Sequence, residues 1–443
     1  MKGKKLTDLI GAACGVFLVA VLVVSIATGS LSSPAVADSG ETAPAAGTVL
    51  AVADAEHTGK AIAHKVETKS GVTVMHAAEW EEQYPEIYAS LMKNQENDEI
   101  VNYLEVYPQL VTLYEPYGFS KCYGSARGHF YDVDDILETG RPHALANCWT
   151  CKTPDFTNLV NEMGPEAYQL SFDEVRELVE EGISCYSCHA NTPGEITITH
   201  TYAIDAVGED FDKIPAATLA CGQCHNEYFF MPGTNSTTLP HDSLASMSPD
   251  LILDYYNTQL KKTEADGTQV PFYDFSNKIS GVKVIKVQHP ELETYLGEGS
   301  QHRGKFTCAD CHMGDLKTAD GKTTKNHYLT SPLDNEDLLK NTCSECHTDL
   351  KAEVQAIQDA VVKRTVKIAD QLVTLHQKIG EAAASGKYSD SELAEMRSLA
   401  RDAQFYWDFV FVENSNGAHN SKLTNECLDK AASLTEQALG MFK

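Results

Sequence analysis

Five short stretches of the chain place two cysteines three residues apart and follow the second directly with a residue that can bind a metal. Four end in histidine and one ends in lysine; they are CWTCK (148–152), CYSCH (185–189), CGQCH (221–225), CADCH (308–312) and CSECH (343–347). From the overall composition, Cys-x-x-Cys-His is expected by chance roughly 0.014 times in such a chain. Its fourfold occurrence therefore has a chemical cause.

Cys-x-x-Cys-His is typical of haem c attachment, in which both thiols form thioethers and the histidine becomes an axial iron ligand. A zinc site would need matched further ligands each time, and a dithiol redox site would be single. We therefore predict a multihaem c-type cytochrome. The predicted haem-binding residues are Cys148, Cys151, Lys152, Cys185, Cys188, His189, Cys221, Cys224, His225, Cys308, Cys311, His312, Cys343, Cys346 and His347.

Lys152 occupies the position that histidine has in the other four motifs. An amine donates through nitrogen without the π-system of imidazole, so a haem bound by Lys152 would differ electronically from the rest. The alternative is that Lys152 binds no iron and CWTCK is a decayed motif. Histidines elsewhere in the chain are candidate second ligands for the other four haems, although a lone histidine is more often structural.

The formal net charge is −28, from 63 acidic and 35 basic residues. This charge argues against nucleic acid as a partner, because phosphate binding requires a basic surface. An anionic substrate would need a local positive site. Outside the motifs, Cys122 and Cys427 could form a disulfide or remain two separate thiols.

The first 37 residues have the pattern of an export signal or an N-terminal membrane anchor. Three lysines precede an apolar run from Leu9 to about Leu31, and Ala35-Val36-Ala37 is a cleavage-site pattern. Either interpretation places the body outside the cytoplasm, in the periplasm or beyond. We predict a flexible linker over residues 38–75, a pentahaem catalytic region over 76–349 and a C-terminal helical region over 350–443 that supplies a dimer interface.

The hydrophobic pattern predicts a mainly α fold, a multihaem cytochrome c whose haems pack in a largely helical body with long C-terminal helices. Apolar residues recur at helical spacing over 350–384, a helix restarts with Ser389 or Asp390 as its N-cap, and a third helix runs from about Leu423 to Met441. A further helical region is predicted at 78–114. Strand patterns are sparse, and the best are GEITITHTYA and GVKVIKVQ.

A lysine-ended motif followed by four histidine-ended motifs, with a long gap before the fourth, resembles the pentahaem, ammonia-forming cytochrome c nitrite reductases. The resemblance covers roughly residues 80 to 440. Other stretches that carry it are CGQCHNEYFF, KVQHPE, QHRGKFTCADCH, KNHYLTSPLDN and NGAHN.

The resemblance implies the roles of further residues. Lys152 is the proximal ligand of the catalytic haem, and Tyr228 and a partly protonated His289 act on nitrite in its distal pocket. The distal ligands of the other haems are His129, His302, His327 and His419. His327 would serve the His189 haem and His302 the His347 haem, while the other two pairings stay open.

The resemblance also implies a calcium ion beside the catalytic pocket. Its ligands would be the Glu227 carboxylate, the carbonyls of Tyr228 and Lys286, and the side chain of Gln288. Hard oxygen ligands of this kind suit calcium.

One position departs from the family pattern. The family carries a pocket arginine immediately before a Thr-Gly pair, where this chain has Glu138. Arg141, just after the pair, is the predicted substitute, and Arg127 is the poorer candidate. The alternative is that Arg141 is a surface residue and the pocket is altered.

The predicted activity is six-electron reduction of nitrite to ammonium, with five haems c and calcium as cofactors. The alternatives are a related reductase of hydroxylamine or sulfite and a non-catalytic electron-transfer cytochrome. The predicted partners are nitrite, a membrane-bound or periplasmic electron donor (a cytochrome or a quinol dehydrogenase) and a second copy of the chain.

Overall fold

The computed structural model describes residues 61–142 and 145–442. The α-helices are α1 (Pro85–Met92), α2 (Tyr103–Val106), α3 (Gln109–Leu113), α4 (Asp132–Glu138), α5 (Pro154–Met163), α6 (Phe172–Arg176), α7 (Cys185–His189), α8 (Thr201–Val207), α9 (Ala216–Gly222), α10 (Pro249–Asp254), α11 (Glu291–Leu296), α12 (Cys308–His312), α13 (Glu336–Asn341), α14 (Leu350–Ser385), α15 (Asp390–Phe411) and α16 (Ser421–Gly440).

The strands are two or three residues long and pair only in twos. They are β1 (His64–Lys65), β2 (Thr197–Ile198), β3 (Phe229–Phe230), β4 (Thr237–Thr238), β5 (Lys261–Thr263), β6 (Gln269–Pro271), β7 (Phe275–Ser276), β8 (Lys283–Val284), β9 (Asp315–Lys317) and β10 (Thr323–Lys325). The β1–β2 pair is parallel, and the pairs β3–β4, β5–β6, β7–β8 and β9–β10 are antiparallel. The predicted mainly α fold is confirmed.

The first and third long C-terminal helices lie close to their predicted bounds, and the second begins at its predicted start. Ser389 caps α15 in a reciprocal capping box with Glu392, in which each side chain accepts a hydrogen bond from the other residue's backbone amide. Helix α14 ends at Gly386, whose φ of 65° is left-handed and therefore suits glycine. These helices stay regular because each has one apolar face long enough to pack on the other two.

The region from residue 77 to 113 is helical as predicted, but it is broken into short pieces. Pro85 starts α1, and Pro108 precedes α3 as its N-cap. Proline is tolerated at a helix start, whereas in the interior it removes a backbone hydrogen bond. The two proline residues therefore divide what the sequence pattern presented as one helical stretch.

Three hydrophobic cores hold the described residues. The largest lies between α14–α16, α3 and the β7–β8 hairpin. A second lies among α8, α9 and α11. The third packs Trp149 of CWTCK against α5 and α6. The motif region therefore consists of short helices around small cores, and little apolar packing holds it together.

Residues 61–75, the end of the predicted linker, pack on the CYSCH region. The amides of His64 and Val66 donate to the carbonyls of Ile196 and Ile198, at 2.8 and 3.1 Å. The Asn191 side chain donates to the Thr73 carbonyl at 2.7 Å. The predicted signal or anchor and residues 38–60 lie outside the described residues. Over residues 61–142 and 145–442, no helix combines the length and the apolar character needed to cross a membrane.

The side chain of Asp408 in α15 is fully buried and ties this helix to the segment after β8. Its carboxylate accepts hydrogen bonds from the Val287 amide (3.1 Å) and from the Tyr114 hydroxyl. Lys286 Nζ lies 3.2 Å from Asp408 Oδ2, and that lysine side chain is equally buried. Gln288 and His289 follow in the chain, so the bundle braces the residues predicted to form the pocket.

We expect Asp408→Asn to reduce the free energy of unfolding by about 3–5 kcal/mol, because the Lys286 charge stays buried without its counter-charge. Denaturant titration followed by circular dichroism measures this. Glu336→Gln removes the exposed ion pair with Lys351 and serves as the control, with an unfolding free energy close to that of the unchanged chain. Equal effects of the two substitutions would contradict the bracing role.

Candidate active site

The histidine-ended motifs lie on helical turns. CYSCH and CADCH coincide with α7 and α12, and CGQCH lies at the end of α9. A helical turn brings residues three apart to one side, so both thiols of a motif point together with the histidine beside them. The ten motif cysteines are free and, except for the exposed Cys346, partly buried. Cys122 and Cys427 are also separate thiols, which decides against a disulfide between them.

Each motif histidine faces one of the four predicted distal histidines. The ring centroids are 6.3 Å apart for His189–His327, 6.1 Å for His302–His347, 6.0 Å for His129–His225 and 6.0 Å for His312–His419. The first two pairs are those that the resemblance implies. The last two are the pairings that the sequence left open.

These separations fit a metal held between two imidazoles. A metal–nitrogen bond of about 2 Å on each side, with each ring centroid about 1.1 Å beyond its nitrogen, places the centroids roughly 6.2 Å apart. The four pairs share this spacing, and each joins a motif histidine to a different predicted distal histidine. The residues present therefore fit a haem iron held by two histidines.

The hydrogen bonds of the histidines support the same conclusion. The Nδ1 atom of His189 lies 2.7 Å from the Glu195 carbonyl. The Nδ1 atoms of His312 and His327 each lie 3.0 Å from a carbonyl, that of Thr330 and that of Lys325 respectively. A metal-binding histidine usually donates its second ring nitrogen to a carbonyl or a carboxylate, which orients the ring and leaves Nε2 for the metal.

In two further histidines a carboxylate is the acceptor. Glu353 Oε2 lies 2.7 Å from His347 Nδ1, and Glu413 Oε1 lies 2.6 Å from His419 Nδ1. Sequence reasoning did not single out either glutamate, although each is six residues from its histidine. Burial lowers the pKa of His419, but Glu413 outweighs it and raises that pKa to about 9.

Three other rings are neutral at pH 7, the form that binds a metal. Burial lowers the pKa of His129 to about 3 and those of His312 and His327 to about 4. The Nδ1 atom of His129 is buried without a hydrogen-bond partner.

His225 has a second imidazole neighbour, because His289 lies 6.3 Å away between ring centroids. The closer ring is that of His129. Glu291 lies on the Nδ1 side of His225, with Oε1 at 3.8 Å. This glutamate, two residues after His289, also went unrecognised in the sequence.

The motif cysteines show which motifs are neighbours in space. The thiol of Cys151 interacts with that of Cys224, and Cys221 interacts in the same way with Cys308. Cys188 lies near both thiols of CGQCH, and Cys311 lies near Cys343. The spatial order is therefore CWTCK, CGQCH, CADCH, CSECH, with CYSCH branching at CGQCH. Chain order does not reveal this arrangement.

CWTCK is built on a buried tryptophan. The Trp149 ring is fully buried, stacks on Phe172 at 4.6 Å and donates from Nε1 to the Phe172 carbonyl at 3.1 Å. Thr153 then caps α5, which Pro154 begins. Lys152 lies between these two fixed points, and its Nζ is 3.6 Å from Asp132 Oδ1. Burial raises the pKa of Asp132 to about 6, although the Lys152 charge opposes the shift.

Tyr228 and His289 both lie close to the charges of this motif. Burial raises the pKa of the Tyr228 phenol well above its usual value, so the hydroxyl stays protonated and can donate a hydrogen bond. Desolvation lowers the pKa of His289 to about 4, although Glu291 opposes the shift. This burial favours the neutral ring at pH 7. The expectation of a partly protonated His289 stays a prediction.

The two candidate arginines lie in different surroundings. The Arg141 guanidinium lies over the Phe119 ring at 4.3 Å, its Nε donates to Thr139 Oγ1 (3.2 Å), and its charge acts on Tyr228. Arg127 instead donates to Asp135 at 2.8 Å and lies over the Tyr131 ring. Geometry therefore places Arg141, rather than Arg127, on the pocket side.

The predicted calcium ligands Glu227, Lys286 and Gln288 lie together. Glu227 is fully buried, and its Oε2 accepts from the Gln288 amide at 2.7 Å. The Gln288 side-chain amide contacts the Lys286 carbonyl at 2.8 Å. Burial raises the pKa of Glu227 well above its usual value, a penalty that a bound cation would offset. The described residues contain no cluster of three His, Cys, Asp or Glu side chains that could hold a metal, and the predicted calcium set contains a single carboxylate.

Comparison with known proteins agrees with this geometry. The family model for cytochrome c552 matches residues 76–442. The chain belongs to the cytochrome c552 family. Within the family it is a multihaem nitrite-reductase-type cytochrome c, which confirms the resemblance seen in the motifs.

The cytochrome c nitrite reductase of Desulfovibrio desulfuricans, a catalytic subunit described with two calcium sites, is similar in structure. The TM-score is 0.74 at 27% sequence identity, over 83% of this chain and 85% of that one. An outer cell wall cytochrome and an undecahaem cytochrome from the S-layer of Carboxydothermus ferrireducens each share 18% identity, with TM-scores of 0.35. Such low scores carry no structural argument.

Substitution distinguishes the two imidazole neighbours of His225, His129 and His289. If His129 is its partner across iron, His129→Ala should convert one low-spin haem to high-spin, whereas His289→Ala should leave every low-spin haem unchanged. Electron paramagnetic resonance of the ferric protein distinguishes them. The reverse result would assign His289 to the CGQCH haem.

Proposed function

We propose that this protein reduces nitrite to ammonium at a haem c bound by Lys152, supplied with electrons through four haems c that each have two histidine ligands. The observation that carries the proposal is the contrast between the motifs. Each of the four motif histidines faces an imidazole at 6.0–6.3 Å, whereas Lys152 contacts the carboxylate of Asp132.

The need for several haems follows from the reaction. Nitrite to ammonium takes six electrons and eight protons, and the bound haems would supply the redox-active iron and the electron path. The neighbouring thiols of CWTCK and CGQCH place the Lys152 site beside the CGQCH site. The CGQCH site adjoins both CYSCH and CADCH, so two routes for electrons meet there.

The pocket residues bind and orient the anion. Arg141 supplies a positive charge against the net charge of −28. Tyr228 keeps its proton and donates a hydrogen bond. His289, neutral at pH 7, has one ring N–H to donate and one ring nitrogen to accept a proton, so it can pass protons towards the substrate.

Calcium is proposed beside the pocket, bound by Glu227, the carbonyls of Tyr228 and Lys286, and Gln288. Support comes from the convergence of Glu227, Lys286 and Gln288, and from the buried charge of Glu227. Bound calcium would order the irregular segment after β8 that carries His289. Metal analysis of the purified protein that found no calcium would contradict this assignment.

The proposed location of the enzyme is the periplasm or another compartment outside the cytoplasm. Covalent haem attachment and export go together. Electrons would come from a membrane-bound or periplasmic cytochrome or quinol dehydrogenase. A homodimer through α14–α16 is proposed from the length of these helices. Fractionation of cells and sedimentation of the purified protein test the location and the dimer.

Purified protein with a low-potential reductant should form one ammonium ion per nitrite consumed and contain five irons per chain. Lys152→His should keep five haems but lose most nitrite reduction, because the electronic character of the catalytic haem changes. Parallel assays with hydroxylamine and sulfite separate the alternative reductases. Absence of a high-spin haem would instead indicate a pure electron carrier.

Arg141→Gln should raise the KM for nitrite by roughly tenfold to hundredfold, the value of one or two charge-assisted hydrogen bonds. Turnover of uncharged hydroxylamine should change little, because it gains nothing from a positive charge. The control is Arg127→Gln, since Arg127 is bound by Asp135 of α4. If Arg127→Gln alone raised the KM, the pocket arginine would be Arg127.

A further inference from the structure

Lys152 has a carboxylate as its contact. Its Nζ lies 3.6 Å from Asp132 Oδ1. The Asp132 side chain is 14% exposed, and its second oxygen, Oδ2, is buried without a hydrogen-bond partner. Asp132 begins α4, directly after the short 3₁₀ turn that carries His129. One turn of chain therefore supplies both a predicted haem ligand and a carboxylate beside the lysine of the neighbouring motif.

An amine that binds iron through its lone pair keeps two N–H groups. The Lys152 side chain is 37% exposed in the structure. Where a bound haem would cover the amine, these donors need acceptors, because an unsatisfied buried donor costs free energy. Asp132 offers such an acceptor at one oxygen and has a second oxygen free of other partners. Histidine ligands obtain the same support from a carboxylate or carbonyl, which orients the ligand and raises its basicity.

We propose that Asp132 is the positioning residue of Lys152: its carboxylate accepts a hydrogen bond from the amine, directs the lone pair towards the iron and makes the ligand a stronger donor. This inference rests on the proposed ligation of haem by Lys152. The ligand of the catalytic haem is then an amine supported by a carboxylate. The reduction potential of this haem is lower than lysine alone would give.

The surroundings of Asp132 supply the comparison. The charged groups that act on it are Lys152, His225 and Asp135. Asp135 lies on the same helix, one turn further on. Its carboxylate pairs with a different cation, because Arg127 Nε donates to Asp135 Oδ1 at 2.8 Å. Asp132→Asn and Asp135→Asn therefore remove the same charge from the same helix, but only the first touches Lys152.

The test is a redox titration of the purified holoprotein, followed by the spectrum of the high-spin haem. Asp132→Asn should raise the midpoint potential of that haem and change its high-spin signal, because the loss of a negative charge and of ligand basicity both favour the reduced state. Asp135→Asn should shift the potential less, and the low-spin signals should stay unchanged in both. Asp132→Glu, which keeps a carboxylate, should remain close to the unchanged protein.

Equal shifts in the two asparagine variants would overturn the inference, since they would reflect charge alone. Loss of the haem at CWTCK in Asp132→Asn but not in Asp132→Glu would support the inference. Loss of this haem in both variants would overturn the inference. Lys152→His distinguishes this failure from failure of the proposed function. If Lys152→His leaves the high-spin spectrum unchanged, lysine ligation itself is wrong; if it alters that spectrum while Asp132→Asn matches Asp135→Asn, only the role of Asp132 fails.

Discussion

The structure depends on bringing two imidazoles to face each other about 6 Å apart in four separate places. In every pair the two histidines come from well-separated parts of the chain, as in His189–His327 and His312–His419. A metal between them would cross-link those parts directly. This explains how a region of short helices, two-residue strands and small cores keeps a defined arrangement, since covalent haems would supply cohesion that a larger core supplies elsewhere.

The C-terminal bundle stabilises the other side of the site. Asp408 of α15 binds the Val287 amide and Lys286, and the next two residues carry the predicted calcium ligand Gln288 and the pocket residue His289. A rigid helix thus supports residues that lie in irregular chain. Lys152 is supported in a similar way on its own side, with Trp149 packed on Phe172 behind the motif and Asp132 beside the amine.

Much of the fold and the haem chemistry could be predicted because both depend on local pattern. Capping residues and apolar spacing predicted where the C-terminal helices lie. The Cys-x-x-Cys-His motif indicates haem attachment within five residues. The interrupted helices near Pro85 and Pro108 were less clear, because one periodic pattern spans both. The burial that lowers the pKa of His289 could not be predicted, because desolvation depends on neighbours that only the fold brings together.

The sequence by itself determined the family, the number of attachment motifs and the one motif that ends in lysine, because covalent attachment and ligation require particular residues at short spacing. Only the tertiary structure decided which histidine faces which, that CGQCH lies between the other motifs, that the charge of Arg141 acts on Tyr228, and that Asp132 contacts Lys152. The reason is physical: these are through-space distances between residues far apart in the chain, and long-range packing alone sets them.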